Sequence, residues 1–265
     1  MAFLEGKAIF ICAGRSFMRY YVLLLCLCVG VLHATMAEVS ASSNALSGIT
    51  ALSESVADYA SSPIIGYTGL CSTWQKPFSQ TELSIYGFHT AFRSGKCIIA
   101  SGLNYMQHPD YRLQDEYLSL SVYHYGFALG ASQHLLYDKI GAESNYDWTN
   151  DFALGYKGDD YGSEIRYQAV GSSDAAWTLS ATHKLSSAAE VCSAYTWRKL
   201  NKDSYSVASS VRIASPLLLQ SSWQSEPARF GAGLKFRVNG VELMYAVRTH
   251  AELDLTHSLD LGILW

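Results

Sequence analysis

Charge is scarce in this sequence, and no part of it carries a basic tract. Of its 265 residues 16% are charged, and 19 Lys and Arg against 23 Asp and Glu leave a formal net charge of −4. A nucleic-acid partner is therefore disfavoured, because such a partner calls for clustered Lys and Arg. Hydrophobic residues make up 49% of the chain and aromatic residues 13%, which excludes a disordered polymer. Low charge with abundant aromatic side chains indicates a protein that exposes much of its surface to lipid.

Motifs for catalysis and metal binding are also missing. The sequence has no GxSxG, no phosphate-binding glycine loop and no HExxH, so it indicates neither a hydrolase elbow, a nucleotide site nor a zinc protease. We predict a protein that is not an enzyme, with no catalytic residue, no cofactor and no metal site. A lipid-modifying barrel enzyme is the alternative, because Ser, His and Asp are numerous enough to form a rim triad.

The longest hydrophobic run lies near the N-terminus and has the form of a secretory leader. The run Tyr20–Leu32 follows an arginine, and residues 35–37 place small side chains at the −3 and −1 positions of a cleavage site before Glu38. The run is too short for a membrane-spanning helix, which needs roughly 20 residues. We therefore predict a cleaved signal peptide over 1–37, with Met18 as an alternative start.

Few cysteines follow the leader, and they are isolated at Cys71, Cys97 and Cys192. The three cysteines include no CxxC pair, and their number is odd, so the sequence indicates neither a zinc site nor a full set of disulfides. Two states stay open: one disulfide, for example between Cys71 and Cys97, or three free thiols that pack as small apolar side chains.

Hydrophobic residues alternate with polar ones along most of the remaining chain, which is the period of a β-strand. The alternation is clearest in Arg229–Val238, where apolar side chains occupy every second position. Asn239 and Gly240 follow, the pair that a type I′ hairpin turn prefers. A two-residue turn pairs Arg237 with Glu242, so apolar faces coincide and opposite charges meet. The sequence predicts a hairpin here.

About 12–14 such segments occur, each roughly 9–11 residues long, which is the length that a tilted strand needs to cross a bilayer. The predicted fold is all-β, an up-and-down antiparallel transmembrane β-barrel over 66–265. A Ser/Ala-rich segment, 38–65, precedes it as an N-terminal loop or plug. A soluble β-sandwich, secreted or periplasmic, is the alternative, since its strands alternate in the same way.

Three features favour the barrel over the sandwich. Aromatic residues fall near strand ends on the apolar faces, where interfacial girdles belong, and the polar faces are rich in Gly, Ser, Thr and Gln, as a lumen is. The chain also ends on an amphipathic strand, and we interpret its apolar face as a C-terminal signal for the outer-membrane assembly machinery, formed by Leu259, Leu261, Ile263 and Trp265. A terminal edge strand of this kind is protected when the barrel closes.

Five charged residues on the polar faces of the last strands are candidates to face the lumen: Lys235, Arg237, Glu242, Arg248 and Asp260. They could line a channel. Because opposite charges sit on neighbouring strands, we favour a network of salt bridges that fills a small lumen.

The segment Gly102–Glu116, with the Gly- and Tyr-rich stretches Leu118–Tyr125 and Gly126–Ala131, resembles the outer-membrane barrels of the PorV/PorQ type, distant relatives of the FadL-like transporters. The resemblance covers about half of the chain and implies about 14 strands and possible partners in a secretion system. The early Asn-Pro-Ala element of that family is absent, and Ser61-Ser62-Pro63 stands near its place.

The sequence therefore predicts a bacterial outer-membrane β-barrel, porin-like, with a transport or secretion-associated role and an unknown substrate. A non-conducting structural or adhesion barrel is the alternative within this fold. The expected partners are membrane lipid, the assembly machinery and secretion-system proteins.

Overall fold

The computed structural model describes residues 39–80, 82–108, 111–170, 174–199, 201–250 and 253–265. The predicted signal peptide 1–37 and its cleavage site lie outside these residues. Fourteen strands follow one another along the chain: β1 Gly69–Lys76, β2 Ser84–Ser94, β3 Cys97–His108, β4 Tyr111–His124, β5 Phe127–Ile140, β6 Glu143–Lys157, β7 Tyr161–Val170, β8 Asp174–Lys184, β9 Ala189–Arg198, β10 Ser204–Ala214, β11 Leu217–Gln224, β12 Arg229–Val238, β13 Val241–Arg248 and β14 Thr256–Leu264.

Each strand pairs with its neighbours in the chain, and β1 pairs antiparallel with β14 to close the sheet. The predicted all-β, up-and-down barrel is confirmed, and the strand number falls within the expected range. Among the described residues, no helix is long and apolar enough to cross a membrane. Closure leaves no unpaired sheet edge, which is the condition for a sheet in lipid.

The predicted hairpin between β12 and β13 is confirmed in both turn and register. Asn239 and Gly240 adopt φ values of 50° and 82°, the positive φ at both positions that a type I′ turn requires. Arg237 faces Glu242 across the two strands. The outer face of the hairpin carries Phe236 and other exposed apolar side chains. The turn residues and the alternation of the strands thus specify the same register.

Strands β4, β5 and β6 extend further than the alternation indicates. The sequence predicts a strand from Glu116 to Tyr123, whereas β4 begins at Tyr111. Its added residues place Arg112 and Gln114 toward the outer face, so polar residues there interrupt the alternation that marks a lipid-facing strand.

The two ends of the barrel differ in their connections. One end, called the turn end, has two-residue connections at 95–96, 125–126 and 239–240, and it also holds the start of β1 and the C-terminal Trp265. The other end, called the loop end, has the two-residue connection 141–142 but also longer ones, such as 77–83, which includes a short 3-10 helix.

The outer face carries aromatic residues near both ends and aliphatic residues between them. At the turn end the rings of Phe92 and Trp265 lie 5.5 Å apart. Toward the loop end, neighbouring strands place aromatic side chains side by side, namely Tyr167, Trp177, Tyr195 and Trp197. The exposed residues between them include Leu154, Ile165, Leu179, Leu219 and Leu234. An apolar band between two aromatic girdles is the surface of a transmembrane barrel.

The N-terminal segment 39–66 fills the lumen and is called the plug from here on. It contains helix α1 (Ala41–Ala45) and two 3-10 helices, Thr50–Leu52 and Val56–Ala60, whose residues are almost all buried. Gly231 and Gly233 of β12 lie against α1, and a Cβ on either would overlap its backbone or side chains. The core of the molecule is thus inside the barrel, between plug and wall.

Candidate functional site: the plugged lumen

The plug runs the length of the lumen. Val39 packs with Ile85 and Met106 near the loop end. At the turn end, the Arg93 guanidinium donates a 3.0 Å hydrogen bond to the carbonyl of Gly66. Any solute that crosses the barrel must therefore pass between the plug and the wall.

Strand β7 holds the plug through charged side chains. The Thr50 hydroxyl donates to Glu164 at 3.0 Å and accepts from Arg166 Nη1 at 2.8 Å, so it joins the two charges. Glu164 also accepts from the Ser62 hydroxyl at 2.9 Å. Arg166 donates to the carbonyls of Ser61 and Gly48. We call these contacts the β7 latch, formed by Thr50, Gly48, Ser61 and Ser62 of the plug with Glu164 and Arg166.

A second set of polar contacts fixes α1. The Ala41 amide donates to both carboxylate oxygens of Asp260, each at 2.9 Å, and an acidic group at a helix N-terminus satisfies free N–H groups. Asn44 donates to the Ser258 hydroxyl at 2.7 Å. The Ser222 hydroxyl of β11 donates to the carbonyl of Ala45 at 2.7 Å.

All five predicted lumen-facing residues lie on the inner face of β12, β13 or β14. Lys235 and Glu242 are buried and lie 3.4 Å apart, and Arg237 Nε donates to Glu242 at 3.0 Å. Arg237 also reaches Glu54 of the plug at 3.0 Å. Asp260 caps α1 as described, and Arg248 is buried opposite Thr256. Lys235, Arg237, Glu242 and Asp260 thus bind other charges or the plug.

The wall formed by β1 to β4 meets the plug through apolar contacts. Val56, Ala57, Tyr59 and Ala60 of the plug form one buried cluster with wall residues, namely Cys71, Ala91, Ile98, Ala100 and Tyr117. Cys71, Cys97 and Cys192 are buried and free, so the disulfide alternative between Cys71 and Cys97 is wrong. Cys71 belongs to this cluster, and Cys192 packs beneath Leu46, Ile49 and Leu52.

The structure gathers histidines that are scattered along the sequence. His134 Nδ1 lies 2.9 Å from Asp115 and its Nε2 lies 3.7 Å from Asp151. The Tyr117 ring lies between His134 and His89, at centroid distances of 5.6 and 5.9 Å. The described residues contain no group of three or more His, Cys, Asp or Glu placed to hold a metal ion. Sequence analysis missed the cluster, although its members share the inward-facing parity of their strands.

A cavity of about 460 Å³ opens at the turn end between the plug and β4 to β8. It is rich in tyrosine, and its charged lining residues are Arg93, Lys157 and Glu164. Burial, with the negative Glu54 as a smaller cause, raises the pKa of Tyr67 to about 12, so its hydroxyl stays protonated at neutral pH.

A second cavity, of about 210 Å³, lies toward the loop end between Ser47–Ile49 of the plug and the ends of β7 to β11. Its charged lining residues are Arg166 and Arg198. The two cavities contact β7 two residues apart, at Glu164 and Arg166. The β7 latch is therefore the partition between them.

No family model and no curated protein matches this sequence. Among solved structures, the CymD monoaromatic hydrocarbon channel superimposes with a TM-score of 0.67 at 10% identity, over 88% of this chain and 99% of its own. A mutant of Rh. blastica porin aligns over 76% of this chain and 99% of its own, at 8% identity and a TM-score of 0.46. The CymD match shows a shared barrel fold. Neither match confirms the PorV/PorQ type.

Proposed function

We propose that this chain is an outer-membrane transport barrel in which small solutes pass along β7 when the plug releases the β7 latch. One observation carries the proposal: cavities at opposite ends of the lumen both reach β7, and Gly48–Thr50 and the latch lie where the two cavities approach each other. Hydrogen bonds to charged groups contribute about 1.5–3 kcal/mol each, and water can replace them. The latch is thus a place where the plug can yield without unfolding the barrel.

The surface supports the orientation and location that this function needs. The two girdles and the apolar band fit a bilayer, and short turns face the periplasm in bacterial barrels. The turn-end cavity would then open to the periplasm and the loop-end cavity to the exterior. We also propose that the protein reaches the outer membrane through a cleaved signal peptide, which membrane fractionation and N-terminal sequencing test.

The solute class is proposed from the lining of the path. The CymD channel is named for monoaromatic hydrocarbons, so a related cargo is one candidate. Here, however, the partition between the cavities consists of a carboxylate, a guanidinium and hydroxyl groups. Desolvated charges favour polar solutes over hydrocarbons, which cannot satisfy them. We therefore favour small polar cargo.

Conductance in planar bilayers tests the transport proposal. We expect small conductance from the mature wild-type barrel and a several-fold larger step after deletion of 39–62, since the plug fills the lumen. Heat-modifiable mobility on gels checks that the deletion variant still forms a barrel. Closed barrels that conduct in neither form would instead support a structural or adhesion role, and lipid turnover by purified protein would support a barrel enzyme.

Assembly depends, in this proposal, on the C-terminal strand. Leu259, Leu261, Ile263 and Trp265 are all exposed on the outer face. Deletion of Trp265 should sharply lower outer-membrane levels, while Trp265→Phe should keep them because a large ring is retained. Normal levels after the deletion would argue against an assembly signal.

A secretion-associated role of the PorV/PorQ type rests on the sequence resemblance, and co-purification of secretion-system proteins tests it.

A further inference from the structure

We propose that the loop-end cavity is a binding site for a small organic carboxylate, held between Arg166 and Arg198. The proposal deepens the transport function, since this cavity would be the first to receive solute from outside. It makes a claim about binding that holds whether or not the barrel conducts. Three observations carry it: the partners of Arg166, the placement of Arg198 and the chemistry of the remaining lining.

Arg166 is a buried cation whose hydrogen-bond partners are all neutral. It is 5% exposed, and it donates to the Thr50 hydroxyl and to the carbonyls of Ser61 and Gly48. Among the described residues, its Nε has no hydrogen-bond partner. Glu164 is the charged residue of the same network, and it is joined to Arg166 through the Thr50 hydroxyl. A buried charge is costly unless it is paired, so the cavity side of this guanidinium favours an anion.

Arg198 supplies a second guanidinium from the end of β9. Its Nη1 donates to the Ser204 hydroxyl at 3.3 Å and to the Glu226 carbonyl at 3.5 Å. The neighbouring carboxylates are engaged at the rim: Asp203 accepts from the Arg198 amide and from Tyr195, and Glu226 pairs with Lys202 at 3.5 Å. Arg198 therefore adds positive charge to the cavity, and no carboxylate appears among the described residues that line it.

The rest of the lining supplies hydroxyl and amide groups, which can bind the oxygens of a small polar solute. They include Gln168, Thr178, Thr196, Ser206 and Gln224. The volume of about 210 Å³ is below the range of about 300–1,000 Å³ for drug-sized ligands, so the site admits only a small molecule. The turn-end cavity differs because the Glu164 carboxylate lines it beside Arg93 and Lys157.

The guanidinium pair selects among anions by geometry. The planar fork of Arg matches the two oxygens of a carboxylate and also those of a phosphate. We commit to an organic carboxylate, because the hydroxyl and amide lining continues away from the two guanidinium groups and can contact the body of the solute. Inorganic phosphate shares the oxyanion but has no such body, so it serves as the comparison ligand.

Titration calorimetry on the mature, full-length barrel in detergent tests the proposal, with sodium succinate and inorganic phosphate as probes. We expect saturable succinate binding that is weakened at least about ten-fold by Arg198→Gln, the loss of one charge-assisted hydrogen bond. Lys202→Gln is the matched control: it removes one positive charge at the same end from a side chain that is 81% exposed, and it should change binding by less than about two-fold.

Each outcome decides the matter. Succinate binding that depends on Arg198, with weaker phosphate binding, supports the site; equal binding of both probes overturns the preference for an organic carboxylate. Absence of binding, or equal losses in Arg198→Gln and Lys202→Gln, overturns the site itself. Arg166→Gln should also abolish binding, and if that variant fails to fold, Arg198→Gln still gives the answer. A barrel that binds succinate but does not conduct would refute the transport proposal alone.

Discussion

The plug meets the two sides of the barrel by different kinds of contact. Toward β1–β4 it buries apolar side chains, with Tyr59 fully enclosed. Toward β7 it is held by hydrogen bonds to Glu164 and Arg166, beside two cavities. Apolar contact is lost only by exposing its surface to water, whereas hydrogen bonds can be replaced by water molecules. In the proposed function, the apolar side therefore anchors the plug, and the β7 side is the part that opens.

The variant with the largest expected effect on stability is Tyr59→Ala, which tests whether the apolar side anchors the plug. Tyr59 is 0% exposed and its hydroxyl accepts from the Gly66 amide at 3.0 Å. Loss of a buried aromatic ring leaves a cavity and costs about 3–5 kcal/mol. We expect the urea midpoint for loss of the heat-modifiable form to fall, and the plug to become sensitive to protease. Tyr86→Ala, at an exposed position on the outer face, is the control and should have a much smaller effect. Equal effects would mean that the plug is not anchored at this cluster.

Ala246→Arg extends the test to the contact between α1 and β13. The face pattern alone predicts that Arg is cheaper at the inward Ala246 than at the lipid-facing Leu243, unless the lumen is tightly packed. In the structure Ala246 is fully buried with Ala41, Ala45 and Met244. We therefore expect Ala246→Arg to cost about 3 kcal/mol through overpacking and an unpaired charge.

The matched variant is Leu243→Arg, which should cost about 2–4 kcal/mol if the site lies near the bilayer midplane and less near its interface. Refolding into vesicles, followed by denaturant titration, measures both variants. A much smaller loss at Ala246 than at Leu243 would show that the plug leaves room on β13.

The barrel wall could be predicted from the sequence because strand alternation and turn type depend on residues that are close together in the chain. Alternation of period two, together with Asn239 and Gly240, sets the faces and the register of β12 and β13 without knowledge of distant residues. The same rule fails in β4, where Arg112 and Gln114 place polar groups on the outer face. Strand ends beyond the apolar band carry no such pattern.

The plug contacts could not be predicted, because the segment has no period and its partners are remote. Thr50 binds Glu164, which is 114 residues further along the chain. Nothing in a Ser- and Ala-rich segment specifies which strand will meet it. The charged faces did indicate Lys235, Arg237, Glu242 and Asp260, since neighbouring strands bring opposite charges together. Glu164 and Arg166 share the same inward parity on β7, which is the signal that could have identified them.

On the polar side, Glu164→Ala should change gating more than stability. Its carboxylate accepts from Thr50 and Ser62, so the loss removes two anchors of the plug and costs about 1–3 kcal/mol. We expect a higher open probability in planar bilayers with little change in heat-modifiable mobility. Glu164→Gln retains one acceptor oxygen and should lie between the wild type and Glu164→Ala. An unchanged open probability in the alanine variant would mean that β7 does not gate the lumen.

The smallest and most specific change is Thr50→Val, which removes only the hydroxyl that joins Glu164 and Arg166. Valine has nearly the shape of threonine, so packing is kept while one donor and one acceptor lose their partner, at a cost of about 1 kcal/mol. Thr50→Ser keeps the hydroxyl and is the matched control. We expect Thr50→Val to raise the open probability and Thr50→Ser to leave it near the wild-type value, with unfolding midpoints close in all three proteins. The latch is the partition between the two cavities. Once the hydroxyl is gone, water from either cavity can reach both charges, and the plug loses its directional contact there while its apolar anchor remains. If both variants gate alike, the hydroxyl is not what holds the plug against β7, and the path must run along another part of the wall.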